Sequence, residues 1–160
     1  MNIRPAKPED FKAIWEIFHA VIQKGDSYSF VPETTKEEAK AYWMDPKTNP
    51  YVAELNGKIV GTYVLRQVQR GLGAHIGNGS YMVHPNFQGN RIGKAMGLHS
   101  LDEAKKLGFI AMQYTYVVST NTPAVNLWKS IGFRIIGTVP KAYRHLTLGY
   151  VDTYVMYREL

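Results

Sequence analysis

The sequence predicts a single α/β domain, residues 1–160, built on a mixed sheet. Two apolar runs meet at Asn56-Gly57, the strongest short hairpin signal, so part of the sheet is antiparallel. A strand, a helix and a second strand follow one another between Ala74 and Val118, and such a unit joins parallel strands by a right-handed crossover. Two further strand patterns, with no helix between them, close the chain.

The elements read in order as follows. Asn2-Ile3-Arg4 is a short strand. Pro8 and Asp10 open a first helix and Gly25 stops it, with Phe11, Ile14, Trp15, Phe18 and Ile22 on one apolar, core-facing side. A loop containing Tyr28 and Phe30 leads to a short helix over Lys36 to Trp43. "YVAELNGKIVGTYVL" is the hairpin, and Ala74 to Val83 is the next strand. Alternation puts Ala74, Ile76, Asn78, Ser80 and Met82 on one face of it, with His75, Gly77, Gly79, Tyr81 and Val83 on the other. A third helix runs from about Arg91 to Leu107, where Lys105 and Lys106 suit its C-terminal dipole and Gly108 stops it. "FIAMQYTYVV" is a strand, "NTPAVNLWKSIG" a fourth helix, and "FRIIGTVPKAY" and "LGYVDTYVMYREL" are the closing strands.

Composition narrows the function. The chain has no Cys, which excludes a disulfide framework, a thiolate zinc site and a cysteine nucleophile. The formal charge of +6 suggests an anionic partner, but no basic tract reaches five residues, so a mildly basic surface is preferred to a nucleic-acid footprint. The N-terminus has no signal-peptide core and no apolar run reaches membrane-spanning length, which gives a cytoplasmic reading with no membrane partner.

The stretch "VHPNFQGNRIGKAMG" points to a ligand. A helix N-terminus carries about half a positive charge and favours acidic residues, yet this one begins with Arg91 and Lys94. An anion placed there satisfies the unpaired backbone N–H groups, the dipole and both cations together. Gly89 and Gly93 leave room for phosphate oxygens near the backbone, and Gly93 and Gly97 share a face that lets the helix lie close to what is beneath it. Neither G-x-x-x-x-G-K-[ST] nor G-x-G-x-x-G occurs.

These residues resemble the GNAT superfamily of acyl-CoA N-acyltransferases. Its Q/R-x-x-G-x-G/A signature is met by Gln88 and Gly93, with Arg91 replacing the middle Gly. A second block, "SxxNxxAxxLYxxxGF", is matched by "VSTNTPAVNLWKSIGF", in which Asn121, Ala124, Leu127, Gly132 and Phe133 keep the spacing. The resemblance implies a mixed, mostly antiparallel central sheet with one parallel βαβ unit and flanking helices. It implies acetyl-CoA as acyl donor, with no metal, held by Tyr81, Met82 and Val83, by Gln88, Gly89, Asn90, Arg91, Ile92, Gly93 and Lys94, and by Asn121 and Trp128. The family commonly forms dimers, which makes a second copy a candidate partner.

The resemblance further implies direct attack of an amine on the thioester, with a backbone N–H near Tyr81 or Met82 stabilising the oxyanion. Many relatives add a carboxylate on the fourth strand as base and a Tyr before the last "GF" as acid. Ala74 to Val83 contains no Asp or Glu, and Trp128 holds the Tyr position, so both roles are left unassigned. Deprotonating a lysine-like amine of pKa about 10.4 costs roughly 4.6 kcal/mol at pH 7, against about 1–1.4 kcal/mol for a peptide-type α-amine of pKa near 7.7–8.0. A site without a dedicated carboxylate suits the weaker base.

Asn78, Tyr81 and Asn121 also resemble the substrate-pocket positions of fungal acetyltransferases acting on proline analogues, and they form the candidate substrate and oxyanion region. Asn121 doubles as a helix cap. "GYVD" in the tail is similar to a pattern of phosphinothricin-type amino-acid acetyltransferases, where Arg144 and His145 are candidates to meet a substrate carboxylate; His75 and His84 are rival bases. The leading reading is an acetyl-CoA-dependent N-acetyltransferase acting on a small-molecule amine, with amino acids and their analogues as candidates. A protein N-terminus or lysine as acceptor, and a non-catalytic acyl-CoA-binding module, are the alternatives.

Overall fold

The computed structural model describes residues 1–160. Seven strands form one sheet: β1 (Asn2–Pro5), β2 (Asn49–Leu55), β3 (Lys58–Gln67), β4 (Ile76–Val83), β5 (Ala111–Val118), β6 (Arg134–His145) and β7 (Gly149–Glu159). Their spatial order is β1-β2-β3-β4-β5-β7-β6. Every pairing is antiparallel except β4 with β5, the parallel pair expected from the crossover. That pair is held by only two register positions, Ile76 opposite Ala111 and Gly77 opposite Met112. Beyond them the strands splay, and the β5–β7 register slips between Tyr114 and Val117.

Helices α1 (Phe11–Ile22) and α2 (Lys36–Trp43) cover one face. Ile14, Phe18, Ile22 and Trp43 pack there against Val52, Val64 and Met82, and Trp43 Nε1 donates to the buried Thr62 hydroxyl at 2.9 Å. Ile17 and Val21 are also buried, whereas Trp15 is only partly so and stacks on Phe18. A reciprocal Thr35–Glu38 capping box starts α2. Helices α3 (Ile92–Lys106) and α4 (Thr122–Ser130) cover the other face, where Tyr63, Leu65, Met96, Met112 and Trp128 are buried together.

Several boundaries differ from expectation. β4 begins at Ile76, because Gly71–Gly73 form a single 3-10 turn and the His75 carbonyl accepts from Ile110 N–H. Arg91 is the N-cap of α3 and lies outside its first turn, in the left-handed region at φ +58°. β6 continues past Tyr143 to His145, whose Nδ1 accepts from the N–H groups of Thr147 and Leu148 at the hairpin turn. Gly97 carries the close helix approach: a Cβ there would lie 3.0 Å from Ile131 and 3.1 Å from Trp128. Gly93 does not, since its nearest neighbours would be 3.8 Å and 3.9 Å away.

Candidate functional site

The gap left by the splayed strands opens into a groove of about 840 Å³. One bank is the strand end and turn, with Tyr81, Met82, Val83, Gln88, Gly89, Arg91, Ile92, Gly93 and Lys94; the other is α4, with Asn121 at its cap and Trp128 further along. Asn90 is the one expected contact absent from this lining. It is exposed, and its side-chain amide donates to the Phe87 carbonyl at 3.1 Å.

Gly89 and Arg91 both take left-handed backbone conformations, at φ +85° and +58°. Such a conformation costs a non-glycine residue about 1–2 kcal/mol. Arg91 makes no side-chain cap, so the N–H groups opening α3 have no protein acceptor. With Arg91 and Lys94 on the same bank, this end of the groove is built for an anion.

The peptides of β4 divide between its two neighbours. His84 donates to Val60 across the β3–β4 ladder, and Met82 faces Thr62 in the same register. Alternation in that ladder commits the Met82 peptide to β3 and turns the Tyr81 and Val83 peptides toward the gap. Of the two peptides expected to donate to an oxyanion, that of Met82 is therefore committed to β3 and that of Tyr81 faces the gap. Tyr28, from the loop before α2, meets that peptide directly. Its hydroxyl accepts from Tyr81 N–H at 2.8 Å and donates to the Tyr81 carbonyl at 2.6 Å. Burial raises the Tyr28 pKa well above its ordinary value, so the hydroxyl keeps its proton.

A second space, of about 180 Å³, adjoins the groove on the side of α2. Tyr28, Phe30, Tyr42, Asn78 and Tyr116 line it, and it shares Tyr81, Asn121 and Trp128 with the groove. The three residues expected at the substrate, Asn78, Tyr81 and Asn121, thus do converge. Asn121 Oδ1 accepts from Ala124 N–H at 3.3 Å, so the cap also exists. No residue lining this chamber is charged.

Behind the chamber, Trp128 packs on Tyr81 and Tyr114 with ring centroids 4.7 Å and 4.8 Å away. Ser100 donates to the Gly97 carbonyl, which leaves it to accept from Tyr81, whose hydroxyl in turn accepts from Tyr114, each at 2.7 Å. Burial pushes Tyr81 up to about 12 and Tyr114 well above its ordinary value. Both are structural hydroxyls at neutral pH.

The histidine and arginine candidates divide differently from expectation. His145 lines the groove, with Nδ1 occupied by its own turn. Arg144, His75 and His84 line neither space, and His84 Nδ1 accepts from Asn86 N–H. The residues the sequence reading missed are Tyr28, Tyr42 and Arg66. Arg66 shares the inward face of β3 with Thr62 and Val64, the alternation that would have flagged it. Its guanidinium lies 3.9 Å from the Tyr42 ring centroid, and its Nε and Nη2 are buried with no hydrogen-bond partner. No group of His, Asp and Glu is arranged to hold a metal ion, and no helix is long and apolar enough to cross a membrane.

Residues 12–133 match the family model described as the Acetyltransferase (GNAT) family. A GCN5-related N-acetyltransferase from Kribbella flavida superimposes with a TM-score of 0.94 at 39% identity, covering 99% of this chain and 97% of that one. An L-amino acid N-acyltransferase of Escherichia coli (strain K12) is 28% identical over 88% of this chain and 84% of its own length. An N-alpha-acetyltransferase of Sulfurisphaera tokodaii is 28% identical over 97% of this chain and 90% of its own length.

Proposed function

The chain belongs to the acetyltransferase (GNAT) family, and from that premise we propose that it transfers the acetyl group of acetyl-CoA to the amine of a small molecule of the amino-acid type. The observation that carries this reading is the meeting of a long groove and a small chamber at the Tyr81 peptide and Asn121.

The residues present fit the acyl donor. The unpaired N–H groups opening α3, with Arg91 and Lys94, would hold its pyrophosphate. The Val83 peptide, which has no partner on β5, would receive the extended arm. When bound, acetyl-CoA supplies a thioester carbonyl open to direct attack by an amine. Tyr81 N–H supplies the oxyanion donor once the Tyr28 hydroxyl yields it. Asn78 and Asn121 orient the amine from the chamber side.

Proton handling favours a weakly basic acceptor. The chamber offers no carboxylate or histidine, so the amine must arrive neutral or pass its proton to water. For a peptide-type α-amine that costs about 1–1.4 kcal/mol at pH 7 and for a lysine about 4.6 kcal/mol; a free amino acid, whose own carboxylate raises its ammonium pKa above the peptide value, falls between them. The leaving thiolate, of pKa about 8.5 by analogy with cysteine, needs no strong acid. Within that range of amines, the relative named as an L-amino acid N-acyltransferase supports the free amino acid as acceptor. Acetyl transfer to free amino acids, to a peptide α-amine and to a peptide lysine, measured side by side, tests the reading. Free amino acids are expected to be the best acceptors, and turnover confined to either peptide amine would overturn it.

A further inference from the structure

Arg66 is a cation behind the wall of the acceptor chamber that no contact described so far accounts for. It stands opposite Asn78 in the β3–β4 register, and Asn78 lines the chamber. Its guanidinium is stacked 3.9 Å from the centroid of Tyr42, another chamber residue. Its charge also reaches Tyr28, a third chamber residue, where it opposes the rise in the hydroxyl's pKa. No carboxylate forms a salt bridge with it; the ion pairs of the molecule are Arg4 with Asp10 and Glu54, and Lys106 with Glu103. Nε and Nη2 have neither solvent contact nor a protein acceptor. The buried part of this guanidinium, stacked on Tyr42 and without a counter-ion, is screened less than it would be in water.

We infer that Arg66 sets acceptor specificity, giving the chamber a positive potential that selects an acceptor bearing a carboxylate beside its amine. The inference rests on the acetyltransferase reading above and adds to it a residue and a charge requirement. Asn78, neutral and facing the same space, binds the carboxylate on the chamber surface, while Arg66 stabilises it from behind Asn78 and Tyr42. The same charge, with no anion in the lining, disfavours the ammonium form of the acceptor's amine and so assists the proton loss the reaction needs. Arg66 is in this sense a positioning residue, acting through the chamber wall.

Calorimetric binding of the common L-amino acids, each beside its own carboxamide, to the CoA-saturated protein tests the inference without turnover. The free acids are expected to bind about tenfold or more tightly than the carboxamides. Arg66→Met is expected to erase that ratio by weakening the binding of the acids, with the acetyl-CoA thermal shift unchanged, and Arg66→Lys to restore part of it. Carboxamides binding as well as acids to the unaltered protein would overturn the inference, and needs no variant to fold. So would a ratio that survives Arg66→Met, or acids that fail to bind while acetyl-CoA still stabilises the protein. Absence of any acetyl-CoA stabilisation would instead sink the acetyltransferase reading, and this inference with it.

Discussion

The Tyr28 hydroxyl grips both polar groups of the Tyr81 peptide, accepting from its N–H at 2.8 Å and donating to its carbonyl at 2.6 Å. A loop side chain thereby does, across 53 positions of sequence, what a neighbouring strand would do if β4 and β5 stayed paired. It also stands where the proposed oxyanion would be.

Tyr28→Phe removes both bonds and leaves a part-buried N–H and C=O unpaired. The unliganded protein is expected to lose about 1–3 kcal/mol of stability, read by chemical denaturation. Saturating acetyl-CoA should stabilise the variant more than it stabilises the parent, because the ligand then faces no competitor for Tyr81 N–H. An equal or smaller stabilisation would separate Tyr28 from the acyl-donor site.

Gly93 and Gly97 share a helix face and make opposite predictions. Gly97→Ala puts a methyl 3.0 Å from Ile131 and 3.1 Å from Trp128, and is expected to destabilise the protein by about 1–3 kcal/mol. Gly93→Ala meets nothing closer than 3.8 Å and should be neutral or stabilising by up to about 1 kcal/mol through helix propensity. Thermal melts of the two variants decide the matter.

Filling the groove rather than the core is tested by Gly93→Trp. The variant is expected to fold but to lose the stabilisation that acetyl-CoA gives the parent, about 2.7 kcal/mol at 100 times its dissociation constant. Retained stabilisation would displace the pyrophosphate from this turn.

The pH dependence of turnover follows from the uncharged chamber. With no protein base, kcat/KM for an α-amino acceptor should climb about tenfold per pH unit below the amine's own pKa and level off above it. An additional ionisation near pH 6 to 7, independent of the acceptor used, would reveal a base that the chamber lining lacks.

Stability has its own pH signature at the β1 edge of the sheet. Arg4 donates to Asp10 at 2.7 Å and to Glu54 at 2.6 Å, and the hydrogen bond from Arg4 holds the Asp10 carboxyl below its ordinary value. A depressed folded-state pKa contributes stability that is present above the unfolded value, about 3.9, and lost as pH falls through the folded one. Asp10→Asn should flatten that acid-side loss, measured by denaturation between pH 2 and 6.

How far the sequence could be read follows from how local each signal is. Asn56-Gly57 declares its hairpin because φ +52° and +75° are conformations those two residues accept. The turn from Gln88 to Lys94 is legible because wrong-signed charges at a helix start stand out without knowing the rest of the fold. The left-handed Arg91 is not, since nothing in an arginine advertises a positive φ. Asn90 lies outside the groove lining, with its side-chain amide engaged by the Phe87 carbonyl, a contact no sequence pattern announces. Tyr28 and Arg66 gain meaning only through tertiary partners, Tyr81 and Tyr42, that no sequence period connects to them.

Acetyl transfer to a free amino acid at the junction of groove and chamber is read by thiol release from acetyl-CoA, followed with and without free L-amino acids and with the acylated product identified by mass. Amino-acid-dependent release matched by an N-acetyl amino acid is expected. Release that no free amino acid accelerates, while acetyl-CoA demonstrably binds, would contradict it.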